Sequence, residues 1–188
     1  MRGSTVFLSV VATMGLASAA PSAITVFGSS DARNCYEAAL LERTGPAHIR
    51  QCTQALDDRT LASRDRVATY INRGILHVYN GDFESGIADY DRAIELDATE
   101  PDAYLNKALA LLHNQDDLPQ IISLLTTALE YGTREPALAY YGRGLAYELS
   151  GDIPAAYYDI QRAVETDPGW ELPARELTRF RVVGGEDS

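Results

Sequence analysis

The sequence predicts an all-α fold of stacked helical hairpins, and three observations carry that prediction. Tyr70, Arg73, Gly74, Gly81, Asp82, Ala93 and Asp97 recur seventy residues later as Tyr140, Arg143, Gly144, Gly151, Asp152, Ala163 and Asp167. A degraded copy at Tyr104, Lys107, Ala108 and Ala128 lies between them, so the unit is about 35 residues, the period of a repeat array. Apolar residues recur at helical spacing from residue 31 almost to the end, and no alternating strand pattern survives inspection.

The first nineteen residues read as a secretory signal peptide: a basic start at Met1-Arg2, an apolar run over 6–16, and the small-x-small site Ala17-Ser18-Ala19. Cleavage is expected after Ala19 or Ala20. A retained anchor or a buried helix is the alternative, and a spanning helix needs about 20 apolar residues. No cysteine follows the cleavage region, so lipoprotein export is not signalled. Residues 20–30 read as a short flexible lead, with Ser30 or Asp31 able to cap the first helix. Breaks then fall at Gly45-Pro46, Asp57-Asp58, Asn80-Gly81-Asp82, 97–101, 114–117, 132–136, Ser150-Gly151-Asp152 and Asp167-Pro168-Gly169. Glycine ends a helix in the left-handed conformation, and the aspartate after it caps the next. The intervals give hairpins over about 31–58, 67–100, 101–134 and 137–170, inside a repeat domain over 31–181. A final helix over 171–181 carries Leu172, Leu177 and Phe180 on one side and charges on the other, the composition of a helix that caps an array. The tail over 182–188 is expected to be disordered.

Cys35 and Cys52 are the only cysteines, and in an exported chain an isolated pair is most simply a disulfide. Cys35 lies ten residues before Gly45 and Cys52 seven after it, at comparable depth in a tight hairpin. Two buried free thiols are the alternative, and a redox site would want a CxxC motif that the chain lacks.

The formal net charge of −11 argues against nucleic acid and anionic lipid as partners. Fifteen arginines against a single lysine, Lys107, read as codon bias in a GC-rich genome. Chemistry is thinly signalled. His48, His77 and His113 lack the close spacing of a zinc site, and His77 reads as a packing residue before a ligand. No nucleophile elbow, phosphate loop or dinucleotide fingerprint is present. Asp57-Asp58, Asp116-Asp117 and Glu186-Asp187 occupy turns and the tail, and Tyr140-Tyr141 and Tyr157-Tyr158 read as packing residues before a sugar platform.

Tyr70, Arg73-Gly74, His77, Gly86, Tyr90 and Ala93, and again Tyr140, Arg143-Gly144, Tyr147, Ala156, Ile160, Ala163 and Pro168, resemble a tetratricopeptide repeat array. The middle unit departs from the pattern, with Lys107-Ala108, Leu111 and Ile121, and the unit from Cys35 to Cys52 is a shortened match. The resemblance implies a right-handed α-solenoid whose paired small residues let the helices of each hairpin approach closely. Arg73 with Asp89 and Arg143 with Asp159 share an offset of sixteen, whereas Lys107 faces Ser123. We read the first two as arginine–carboxylate bridges between the helices of a hairpin, the alternative being an arginine offered to a ligand.

The resemblance also assigns a concave, peptide-binding surface to Ile71, Asn72, Ile75 and Tyr79, then Leu105, Asn106 and Leu109, then Tyr141, Leu145 and Glu148. Asn72 and Asn106 are 34 residues apart, and asparagine there suits a peptide unit because it donates and accepts. Alternatively they are simply tolerated on a solvated face. Gly142 ends the series. The expected function is a non-enzymatic protein- or peptide-binding adaptor of the cell envelope, periplasmic or secreted, with no cofactor and no membrane insertion after cleavage. Its rivals are a scaffolding role on convex faces or array ends, a small-ligand role and, least supported, an enzyme.

Overall fold

The computed structural model describes residues 23–115 and 117–180. The expected leader over 1–19 and tail over 182–188 lie outside the described residues. The chain forms α1 (Ser30–Leu40), α2 (Pro46–Asp57), α3 (Ser63–Tyr79), α4 (Phe83–Leu96), α5 (Pro101–Asn114), α6 (Leu118–Glu130), α7 (Pro136–Ser150), α8 (Ile153–Thr166) and α9 (Glu171–Leu177). Among the described residues there is no strand, and no helix is long and apolar enough to cross a membrane. The fold is an all-α solenoid of hairpins.

Turn chemistry sets the boundaries. Gly81 and Gly151 turn the chain at φ 81° and 86°, and the carboxylates of Asp82 and Asp152 then accept from the N–H groups of Ser85 and Ala155. In the middle unit Gln115 and Asp117 take the left-handed conformation themselves, and Asp117 accepts from Gln120 N–H. Ser29, one residue before the expected cap, accepts from Ala32 N–H at the start of α1. The third helix begins at Ser63, four residues earlier than expected, and Arg66 in its first turn donates to the carbonyls of Leu56 and Asp58, closing the end of α2. α9 ends at Leu177, short of the expected 181, although Phe180 beyond it still packs on the core.

Each helix packs on the next, and α1, α3, α5 and α7 also adjoin in order. The second helices, α2, α4, α6 and α8, do not approach one another comparably. The array therefore curves with its first helices on the inside.

Small residues permit the packing. A Cβ added at Gly74 would lie 2.6 Å from Cε1 of Tyr90, whose ring is fully buried. Gly74→Ala is expected to destabilise the fold by about 1–3 kcal/mol, because a packed ring cannot yield. At Gly142 the new methyl would meet only the ends of Leu109 and Leu125, at 3.3 and 3.4 Å. Gly142→Ala should therefore be near neutral, since a helical alanine gains up to about 1 kcal/mol over glycine. Urea titrations of the two variants check the contrast, and equal midpoints would remove the close approach as a determinant.

The lead expected to be flexible is fixed from Ala23 to Gly28. Ile24 and Val26 are each 4% exposed and belong to the apolar cluster of Ile71, Ile75 and Ala103. Thr25 and Phe27, the alternate residues, are exposed. This is the period of two of an extended segment with one buried face.

Candidate peptide-binding face

The inner face begins at Asn72. Its side chain is fully buried and holds one residue of the extended strap by both backbone groups. Ile24 N–H donates to Asn72 Oδ1 at 2.9 Å, and Asn72 Nδ2 donates to Ile24 O at 2.8 Å. Three residues on, Phe27 N–H donates to Asp65 Oδ1 at 3.2 Å. Seven helical residues and three extended ones both span about 10 Å, so the strap runs lengthwise along α3 and antiparallel to it. The chain then turns at Gly28, whose added Cβ would lie 2.8 Å from Leu61 Cδ1, and enters α1.

Asn106 occupies the equivalent place on α5. It is 2% exposed, and among the described residues neither its Oδ1 nor its Nδ2 has a hydrogen-bond partner. Leaving a buried polar group unpaired costs about 1–3 kcal/mol, so such a group asks for a ligand or a water. The Tyr79 hydroxyl, on the same face, is likewise buried without a partner.

Most other residues assigned to the open surface are not open. Ile71, Ile75 and Leu105 are essentially inaccessible and Tyr141 is 6% exposed. The physical reason lies at the two ends of the array. The strap and α1 cover Ile71 and Ile75. Trp170 meets Tyr141 edge-on at 5.1 Å, with Leu172, Leu177 and Phe180 in the same cluster. Burial pushes the Tyr141 phenol up to about 12, so it stays neutral. Glu148 is held by Arg179, whose two terminal nitrogens donate to both carboxylate oxygens at 3.1 Å. Tyr79, Leu109 and Leu145 remain partly exposed. Asn72 itself is not offered to an outside peptide in this state, because the strap occupies it.

The arginines sit on the other side of the inner helices. Arg73 donates from Nε and Nη2 to the two Asp89 oxygens at 2.8 and 2.7 Å, and from Nη1 to Thr53 Oγ1 on α2 at 3.0 Å. Arg143 repeats this with Asp159, at 2.7 and 2.9 Å, and with Thr126 on α6 at 2.9 Å. Each guanidinium also lies over its own repeat's tyrosine, Tyr70 or Tyr140. Hydrogen bonding to the carboxylate holds each guanidinium above its usual range. These arginines clip three helices together. Lys107 does not face Ser123; it reaches back to Asp91 on α4.

A carboxylate group closes the α5 end of the face. Asp102 is fully buried and accepts from Thr133 Oγ1 at 2.7 Å, with Arg134 Nε 3.3 Å from its other oxygen. Burial, and then Asp102 beside it, pushes the Glu100 carboxyl up, and Glu135 is raised in the same way. Among the described residues no cluster of three or more His, Cys, Asp or Glu has the arrangement to hold a metal ion. His77 lies 3.3 Å from Asp82 and 3.9 Å from Asp89, His113 stacks on Phe83, and His48 lies 3.3 Å from Gln51. The alternation of Ile24 and Val26 is the strap's one trace in the sequence, shorter than the four to eight residues that mark a strand.

A tetratricopeptide repeat profile matches residues 71–117 and 122–169, half of the chain. The chain belongs to the tetratricopeptide repeat family. Its fold is similar to the tetratricopeptide repeat domain of Arabidopsis OM64, at a TM-score of 0.60 and 21% identity, over 64% of this chain and 98% of that one. It is similar to MamA at a TM-score of 0.60 and 23% identity, over 69% and 72%. The first tetratricopeptide repeat domain of Spaghetti (RPAP3), bound to the HSP90 peptide SRMEEVD, aligns at a TM-score of 0.58 and 21% identity, over 63% and 91%. No curated protein sequence matches the chain. The family match begins at residue 71, so the strap, α1 and α2 lie ahead of it.

Proposed function

We propose that this tetratricopeptide repeat protein is a non-enzymatic adaptor of the cell envelope that binds another protein through an extended segment laid on its inner face. The observation that carries this reading is the pair of hydrogen bonds between Asn72 and Ile24: the face already holds one extended residue by its backbone. Family membership supports an interaction role, and a structural neighbour is bound to a peptide. The buried, unpartnered amide of Asn106 supports a second place of the same kind. Export rests on the leader read at Met1 to Ala19.

The test is site-specific photocross-linking in envelope extract, with the reactive residue at Leu109 on the inner face or at Tyr158, which is 64% exposed on α8. A partner captured at position 109, and lost when Asn106→Ala is added, is the expected result. Capture at position 158 alone would move the interface to the outer helices and favour scaffolding. Recovery of the chain only from cytosol would remove the envelope assignment.

A further inference from the structure

We propose that Asn80-Gly81 is a site of covalent modification, where the chain closes a succinimide and hydrolyses to isoaspartate or aspartate, and that docking of the α1–α2 hairpin on α3 controls the reaction. The proposal is independent of what the inner face binds.

The dipeptide is chemically the exposed one. Asn80 precedes a glycine, so no Cβ shields the backbone nitrogen that attacks. Both residues are exposed to water. The corresponding turns of the later repeats hold Asn114-Gln115 and Ser150-Gly151, and Asn34, Asn72 and Asn106 lie inside helices before Cys35, Arg73 and Lys107. Asn80 is therefore the only asparagine of the chain followed by glycine.

The folded turn keeps the reacting groups occupied. Asn80 Nδ2 donates to Leu76 O at 2.6 Å, and Asn80 Oδ1 accepts from Gly45 N–H at 2.9 Å. Gly81 N–H donates to Val78 O at 2.9 Å. Cyclisation requires that nitrogen to lose its proton and the Asn80 side chain to swing onto it, and neither is free to do so. One of these ties is not local. Gly45 belongs to the turn between α1 and α2, 35 residues away in sequence. The same hairpin is held to α3 by Arg66, which donates to the carbonyls of Leu56 and Asp58, and by Arg73, which donates to Thr53. When the hairpin lifts from α3, Gly45 leaves and the amide of Asn80 loses its outer anchor.

The step then runs with the chain and water as its only reactants. The Gly81 nitrogen gives up its proton and bonds to Asn80 Cγ. The bond from Cγ to Nδ2 breaks, and ammonia leaves with the proton. Water next adds to one carbonyl of the five-membered ring. Addition at Cγ returns a normal main chain with aspartate; addition at the main-chain carbonyl of residue 80 gives isoaspartate. Neither product can restore the turn. Both lack Nδ2, so Leu76 O loses one of its donors, and both place a negative charge at the C-terminal end of α3, where the helix dipole disfavours it. Isoaspartate also inserts a carbon into the main chain, which displaces Gly81 N–H from Val78 O and Asp82 N–H from His77 O. An opening of the first hairpin is thereby made permanent.

The test follows conversion at residue 80 by peptide mapping of the whole chain at neutral pH, with isoaspartyl methyltransferase labelling to identify the product. Local opening sets the rate of such a reaction, so the folded, disulfide-bonded chain should convert about tenfold or more slowly than the same chain unfolded in guanidinium. The variant carrying Cys35→Ser and Cys52→Ser, which loosens the hairpin without touching the turn, should fall between the two. In sub-denaturing guanidinium, which needs no variant, conversion at Asn80 and amide exchange at Gly45 should accelerate together, because both wait on the same hydrogen bond. Purified isoaspartate product should exchange the amides of α1–α2 faster than the unmodified chain.

Equal rates in the folded and unfolded chains would overturn protection by the turn. Conversion that accelerates while the Gly45 amide stays protected would overturn control by the hairpin and assign the reaction to fraying of α3. No conversion in the unfolded chain would remove the site.

Discussion

Asp89→Ala should lower the stability of the fold by about 3–5 kcal/mol, the range for stranding one partner of a buried ion pair. Arg73 cannot deprotonate to escape. Its side chain is 19% exposed and that of Asp89 only 8%, so water replaces little of what is lost. Two parallel hydrogen bonds disappear, and the bond to Thr53 on α2 loses the anchor that aims the guanidinium. The loss should fall on α2, α3 and α4 together, because the clip spans all three. Asp159→Ala should reproduce the effect at α6, α7 and α8. Urea denaturation of both variants measures it. A companion variant replacing both Arg73 and Asp89 by apolar residues of similar volume should recover most of the loss, since neither charge is then stranded. A change below 1 kcal/mol in the single variants would show the pairs to be ornaments of the surface.

Removing the disulfide is the second large effect. Cys35 and Cys52 are joined across a Cα–Cα distance of 4.9 Å and a separation of 17 residues. The chain-entropy treatment gives about 3 kcal/mol for a loop of that length. The hairpin it closes has a core of small side chains: the buried residues of α1 are Ala32, Cys35, Ala38 and Ala39, and those of α2 are Cys52 and Ala55. Alanines bury little apolar area each, so the stabilisation by burial is small. In the variant with both cysteines changed to serine, thermal melts should shift down and α1–α2 should exchange amide hydrogens before α5–α8 does. Uniform exchange along the chain would show that the hairpin is held by packing and not by its cross-link.

How much of this was legible in the sequence differs between features. The fold was, because glycine and aspartate mark each turn and the seventy-residue recurrence repeats them. The clips were legible as well, since an arginine and an aspartate changing together at one offset mark a contact. The middle unit misled: a lysine's long stem reached back to Asp91, because Ser123 offers no charge to hold it. The residues assigned to the inner face lie on α3, α5 and α7, and most of them are closed to solvent. Pattern alone locates a face, whereas its exposure depends on what the ends of the array fold over it. Ile71 and Ile75 are covered by a segment that reads as linker, and Tyr141 by residues beyond the last full repeat. The strap escaped notice because two buried side chains over a handful of residues are too few to announce a strand.

The direction of the strap has a practical side. Ala23 lies beside the middle of α3, on the inner surface of the first end of the array. A segment joined directly to Ala23 would start from that surface. A purification tag or reporter fused there would crowd the mouth of the surface under test and compete with whatever is offered to it. Phe180 packs at the other end, beyond the last full repeat, and the side after it is the sounder place for a handle.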